Sequence, residues 1–129
     1  MPLRGLGVDL VEVGRVADLL ARHPGFAERC FTPAEQGYAF GRTRPEQRLA
    51  ARFAAKEAVM KALGCGWRQV GWREVEITGG GAPRVVLRGR AAVRAKALGV
   101  SDVLLSLSHT DEVAVAAAVA VGPGLASPA

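Results

Sequence analysis

The stretch Arg52-Phe-Ala-Ala-Lys-Glu-Ala-Val-Met-Lys-Ala-Leu-Gly64 reads as one helix. Apolar side chains recur at Leu49, Phe53, Met60 and Leu63 on a single face, and Gly64 stands where a left-handed C-terminal cap is usual. Ala51, Ala54, Ala55, Ala58, Val59 and Ala62 leave almost no face for solvent, so the helix is expected to be packed on several sides. At about 100° per residue, Lys56 falls inside the apolar stripe, while Glu57 and Lys61 share a neighbouring strip with Ala50. Charges held in such a place need partners, because an unpaired desolvated ion is strongly destabilising. The partners can be each other, another segment or a charged ligand. The spacing equally suits an ordinary Glu57–Lys61 intrahelical pair, with Lys56 reaching past the edge of the core.

Upstream, Arg42, Arg44, Arg48 and Arg52 gather around Pro45 and give the helix a basic N-terminal end, suited either to a phosphate or to plain solvation. Thr32-Pro33-Ala34-Glu35 is a capping box that predicts a short helix through about Phe40, with Glu35 as the cap. Leu3 to Val11 reads as a strand, with Leu6, Val8 and Leu10 on one face and Gly5, Gly7, Asp9 and Val11 on the other. Asp9 is thus a carboxylate in a core strand, there to meet a cation or to cap the next helix. That helix begins near Glu12, with Val13, Val16, Ala17 and Leu20 on one face. Arg15 and Arg22 lie off it, two turns apart, as a solvated face or as a basic stripe for an acidic partner.

Downstream the period becomes two. Trp72 to Thr78 and Arg84 to Arg88 predict a hairpin around Gly79-Gly-Gly-Ala-Pro83, and Arg90 to Leu98 a helix closed by Gly99. Val103 to His109 then sets Leu105 and Leu107 against Ser106 and Ser108, and after Thr110-Asp-Glu112 a last strand runs from Val113 to Val121. That strand has no polar side chain on either face. An antiparallel sheet in a lone small domain usually keeps one wetted face, so either the strand is fully buried within one chain or, as expected here, a second copy of the chain lies against it with Ala116 and Ala118 at the contact.

With 129 residues, half of them hydrophobic, the chain is one domain with a real core. Residues 1–121 form the domain, and 122–129 are expected to be a flexible tail. The net charge of +5 points to an anionic partner. Cys30 and Cys65 have no metal-ligand spacing and read as plain thiols. No segment approaches the ~20 apolar residues of a membrane span, so a cytoplasmic protein is expected. A single-strand nucleic-acid module fits the charge but not the scarcity of aromatics, four Phe, two Trp and one Tyr.

Taken together, Gly5-Leu-Gly-Val-Asp-Leu-Val-Glu-Val13 with Arg15, Phe31-Thr-Pro-Ala-Glu35, Arg52 to Gly64, and Leu105-Ser-Leu-Ser-His109 resemble the holo-acyl-carrier-protein synthase family of 4'-phosphopantetheinyl transferases. The motifs stand in family order. Cys65 departs from the usual Thr or Ser, and the hairpin loop lacks the Asn often seen before its Pro. The resemblance implies a small α+β domain, an antiparallel sheet packed against a central helix, working as a homotrimer. It implies Mg²⁺-dependent transfer of phosphopantetheine from coenzyme A to a serine of an acidic acyl carrier protein, releasing 3',5'-ADP, in fatty acid or polyketide biosynthesis. By the same resemblance, Asp9 and Glu57 are the Mg²⁺ ligands, and Lys61 reaches the pyrophosphate. Arg48, Arg52, Lys56, Gly64, Ser108 and His109 belong to the coenzyme A site, while Arg15 and Arg22 dock the carrier protein. The serine proton goes to Glu57 or to a metal-bound water. The same carboxylates would also serve a Mg²⁺-dependent phosphohydrolase.

Overall fold

The computed structural model describes residues 2–123. Alternation along Leu3–Glu12 makes the first strand, β1, and its two sides meet different surroundings. Leu6, Val8 and Leu10 point outward, each more than half exposed, whereas Gly5, Gly7, Asp9 and Val11 turn inward. β1 pairs antiparallel with β5 (Val113–Val121), which pairs antiparallel with β4 (Asp102–His109), so the last strand lies between the other two. A second, two-stranded sheet joins β2 (Val75–Thr78) to β3 (Arg84–Leu87). The strand expected from Trp72 begins three residues later. Trp72–Glu74 instead make a turn of 3₁₀ helix in which Glu74 accepts from the Gly71 amide, a local alternative that period-two patterning does not register.

The central helix, α4 (Pro45–Ala62), crosses the inner face of the larger sheet. Its alanines are explained by how close it lies. A Cβ at Gly5 would collide with the Ala62 carbonyl oxygen and one at Gly7 with that of Ala58, so strand and helix meet almost backbone to backbone. From β5, Ala114, Ala116, Ala118 and Ala120 face the same helix and are fully buried. The expectation that Ala116 and Ala118 form a contact between copies is therefore corrected: small side chains are needed there to seat α4. The other side of β5 forms the surface, in cross-strand rows Leu6–Val119–Leu104, Val8–Ala117–Ser106 and Leu10–Val115–Ser108.

Shorter helices close the ends: α1 (Val13–Arg22), α2 (Phe26–Cys30), α3 (Pro33–Phe40) and α5 (Gly89–Ala97). Thr32 caps α3 as the capping box predicts, with its hydroxyl accepting from the Glu35 amide at 3.2 Å. Gly64 ends α4 at φ 66°, and Arg94 of α5 donates to the Leu63 and Gly64 carbonyls at 2.8 and 3.1 Å, placing positive charge where the helix dipole is negative. At the C-terminus Gly122 is buried and donates to the Pro2 carbonyl at 3.1 Å, so the domain extends past 121; residues 124–129 of the expected tail lie outside the described residues.

Candidate active site

The seam between β1 and α4 brings Asp9, Glu57 and Lys61 together. Lys61 Nζ lies 3.1 Å from Asp9 Oδ1 and donates to the Val8 carbonyl at the same distance, so its partner is across the seam and not Glu57 on its own helix. Asp9 is 11% exposed, and its buried Oδ2 has no hydrogen-bond partner once Glu57 is ionised. Glu57 stands beside it. Burial, and then the Asp9 carboxylate, push Glu57 up to about 7, against the pull of Lys61 and Arg15. Arg15 is thus at the rim of this cluster as well as on the open face of α1, while Arg22 is exposed at the helix end. Two facing carboxylates with an orphaned oxygen fit a hard divalent cation that keeps water or substrate oxygens for the rest of its shell. No group of three His, Cys, Asp or Glu side chains gathers among the described residues, so the protein alone supplies only part of such a shell.

Next to this cluster a cleft of about 240 Å³ is lined by Glu57, Met60, Lys61, Cys65, Gly66, Trp67 and Trp72. A second cavity, about 160 Å³, opens on the opposite flank of α4, where Arg48, Arg52 and His109 converge with Tyr38, Gln47 and the Gly79–Gly81 loop. Arg52 is 5% exposed and donates to the Gly79 carbonyl at 3.2 Å, and its Nε is buried without a partner. Burial lowers its basicity. Among the described residues neither Arg48 nor Arg52 has a carboxylate partner, whereas Arg44 pairs with Asp111. A further cleft of about 570 Å³ between β3 and β4 has only Arg84 and Asp102 as charged lining residues and is not where the titratable residues gather.

Lys56 is not in either cleft. It is fully buried, 2.8 Å from Glu35 Oε1, and donates to the Trp72 and Val75 carbonyls at 2.9 and 2.6 Å. All three ammonium protons are spent inside the chain, so its assignment to coenzyme A is corrected: it ties α4 to α3 and β2. Glu35 caps α3, accepts from the Ile77 amide at 2.9 Å and neutralises Lys56 at once. Ser108 is also separated from His109. Successive strand residues face opposite ways, and Ser108 sits in the outer row with Leu10 and Val115. Gly64 shapes the end of α4 and lines neither cleft. Tyr38, against which Arg42 and Arg52 both stack, was not singled out from sequence. Its place three residues after the cap Glu35, with an arginine cluster following, was the available signal.

In this small α+β domain, paired carboxylates stand on one flank of α4 and an arginine cavity opens on the other. Residues 5–118 match the 4'-phosphopantetheinyl transferase superfamily, and the chain belongs to it. It is 51% identical to the holo-[acyl-carrier-protein] synthase of Moorella thermoacetica over 117 residues, covering 89% of this chain and 90% of that one. Against the synthase of Desulforudis audaxviator it is 51% identical over 122 residues, 92% and 93% of the two chains. Among solved structures, the Neisseria meningitidis synthase superposes with a TM-score of 0.83 at 31% identity over 93% of this chain and 99% of that one. A Bacillus anthracis synthase in complex with coenzyme A (3',5'-ADP) gives 0.76 at 31% identity over 94% and 98%. Within the superfamily, the chain is thus a member of the holo-acyl-carrier-protein synthase family.

Proposed function

We propose that this protein transfers the 4'-phosphopantetheine arm of coenzyme A to a serine hydroxyl of an acidic acyl carrier protein, releasing 3',5'-ADP, in fatty acid or polyketide biosynthesis. The observation that carries this reading is the buried Asp9 oxygen beside Glu57, bordered by Lys61 and by a cleft of about 240 Å³. Asp9 and Glu57 would hold Mg²⁺, which when bound supplies positive charge to the pyrophosphate oxygens as negative charge grows on them. Lys61, half exposed and 3.1 Å from Asp9, adds a cation at the same place. The serine oxygen bonds to the β-phosphorus, the bond to the 3',5'-ADP oxygen breaks, and Glu57 is the group positioned to take the serine proton, directly or through a water. Arg15, exposed and next to the carboxylates, and Arg22 are the docking cations for the carrier protein.

The reading includes a homotrimer with shared sites. Arg48 and Glu57 are nine residues apart on α4, roughly 180° around the helix, and the two clefts have no lining residue in common. One coenzyme A molecule would then draw on the carboxylates of one copy and the arginines of the next. The apolar outer face of β1, β5 and β4 is the surface on which copies meet; the number three follows the family resemblance. Incubating the purified protein with coenzyme A, Mg²⁺ and apo-acyl carrier protein should add one phosphopantetheine to the carrier by mass spectrometry. Hydrolysis of simple phosphate esters without such a mass gain would favour a phosphohydrolase and overturn the reading.

A further inference from the structure

The arginine cavity contains an arrangement that goes beyond charge alone. The guanidinium carbons of Arg42 and Arg52 lie 3.9 and 4.0 Å from the centroid of the Tyr38 ring. Two guanidiniums cannot share one face at that range, so the ring is held between them. Arg42 also donates to the Tyr38 carbonyl at 3.0 Å, closing the clamp at the end of α3. Like charges brought to either side of one ring repel, and no carboxylate among the described residues pairs with either of them. The ring's negative faces offset part of that repulsion, and an anion in the cavity would offset the rest. Arg52 is the member that is buried, lines the cavity and keeps an unpartnered Nε.

The ligand class follows from how anionic charge is distributed on the substrate in the reading above, on which this inference rests. Coenzyme A carries a pyrophosphate and, separately, a 3'-phosphomonoester. The pyrophosphate must sit at the reacting centre beside Glu57 and Lys61. That leaves the phosphomonoester, a dianion at neutral pH, for the cavity in which three arginine and histidine side chains converge. A flexible arginine recognises it well only if its planar fork is already oriented, and stacking is what orients it.

We propose that Tyr38 is a positioning residue: clamped between Arg42 and Arg52, it pre-sets Arg52 against the 3'-phosphate and so determines the preference for nucleotides that carry one. Calorimetry on the full chain with 3',5'-ADP and with 5'-AMP tests this without relying on turnover. Tyr38→Leu should weaken 3',5'-ADP on the order of tenfold and leave 5'-AMP where it was, abolishing the preference. Tyr38→Phe, which keeps the ring, should restore it. Arg52→Lys, which keeps the charge but cannot stack flat, should behave like the leucine variant and decides the matter if that variant does not fold. In turnover, the KM for coenzyme A should rise in Tyr38→Leu while kcat and the KM for 3'-dephospho-coenzyme A hold. Equal weakening of both nucleotides, a phenylalanine variant as impaired as the leucine one, or a wild-type protein without preference would each overturn the assignment. A wild-type protein that prefers 3',5'-ADP through Tyr38 yet transfers nothing to carrier protein would instead support it and overturn the transferase reading.

Discussion

Glu57 is the residue on which pH, metal and stability meet. In the folded metal-free chain its carboxyl titrates near 7, against 4.5 ordinarily, so between those values the folded state holds a proton that the unfolded state has released. Stability therefore falls as pH rises through that window and is lowest above it. A bound divalent cation reverses this, because it replaces the proton. Added Mg²⁺ should raise the melting temperature more at pH 8 than at pH 6, and Asp9→Asn should shrink both the decline and the rescue; an Mg²⁺ effect of equal size at both pH values would contradict the assignment. Lys56, the next residue, gives the opposite kind of test. Lys56→Met leaves Glu35 buried and uncompensated and should cost about 3–5 kcal/mol in urea unfolding, much of it recovered when Glu35→Gln is added. Asp9, Glu57 and Lys61 each show in the sequence as an ion among apolar residues that needs a partner, but the pairing of Asp9 with Glu57 rests on the family resemblance, and the Lys61–Asp9 contact across the seam has no sequence signal. The Glu35–Lys56 pair was half legible. The demand was visible at Lys56, but the capping box already accounted for Glu35, and a side chain with two oxygens can answer two demands at once.

At the level of elements, the placing of the site depends on how near α4 comes to β1. Gly5 and Gly7 on the strand, Ala58 and Ala62 on the helix, and the four inward alanines of β5 allow the approach, and Asp9 follows Gly7 on the same inward side. Gly7→Ala should push the helix away, with a loss of about 1–3 kcal/mol from overpacking. The reach from Asp9 to Glu57 should suffer with it, so the apparent Mg²⁺ affinity should fall together with stability. A variant destabilised to that extent but with unchanged Mg²⁺ affinity would show that the seam does not set the spacing. The alternation of β5 was plain in the sequence, but which side met the helix was not, since alanine and valine alternate there without a polar residue to mark the outside. Ala116 and Ala118 therefore read equally well on either face. Close packing explains them better: every helix-facing position from 114 to 120 is alanine, whereas the outward rows carry valine at 115 and 119 and alanine only at 117. By the same logic, the start of the hairpin at Val75 and not Trp72 is hidden in the sequence, because a 3₁₀ turn held by Glu74 has no period to read.

For the whole molecule, the decisive quantity is an apolar surface that a single chain leaves open. Leu6, Val8, Leu10 and Leu104 are 54–61% exposed on one sheet face, contiguous with Val115, Ala117 and Val119. Scattered exposed leucines are ordinary, but a contiguous apolar patch over β1 and β5 that reaches Leu104 of β4, with Ser106 and Ser108 at its rim, is the kind of surface that monomers rarely keep. Val8→Glu with Ala117→Glu places two carboxylates at its centre without touching α4, so the variant should stay folded by circular dichroism and run as a monomer by light scattering. If sites are shared between copies, that monomer should also lose coenzyme A binding although every site residue is present. Subunit mixing supplies the stronger test. Asp9→Ala and Arg52→Ala chains are each expected to be inactive, because each lacks one of the two half-sites in all its copies. Unfolding and refolding them together makes mixed assemblies in which an intact carboxylate half from one chain can face an intact arginine half from the other. Transfer activity should then return to a fraction of wild type that depends on the mixing ratio. If each chain instead held a complete site, one variant would lack the carboxylate and the other the arginine in every site, and no ratio would restore activity.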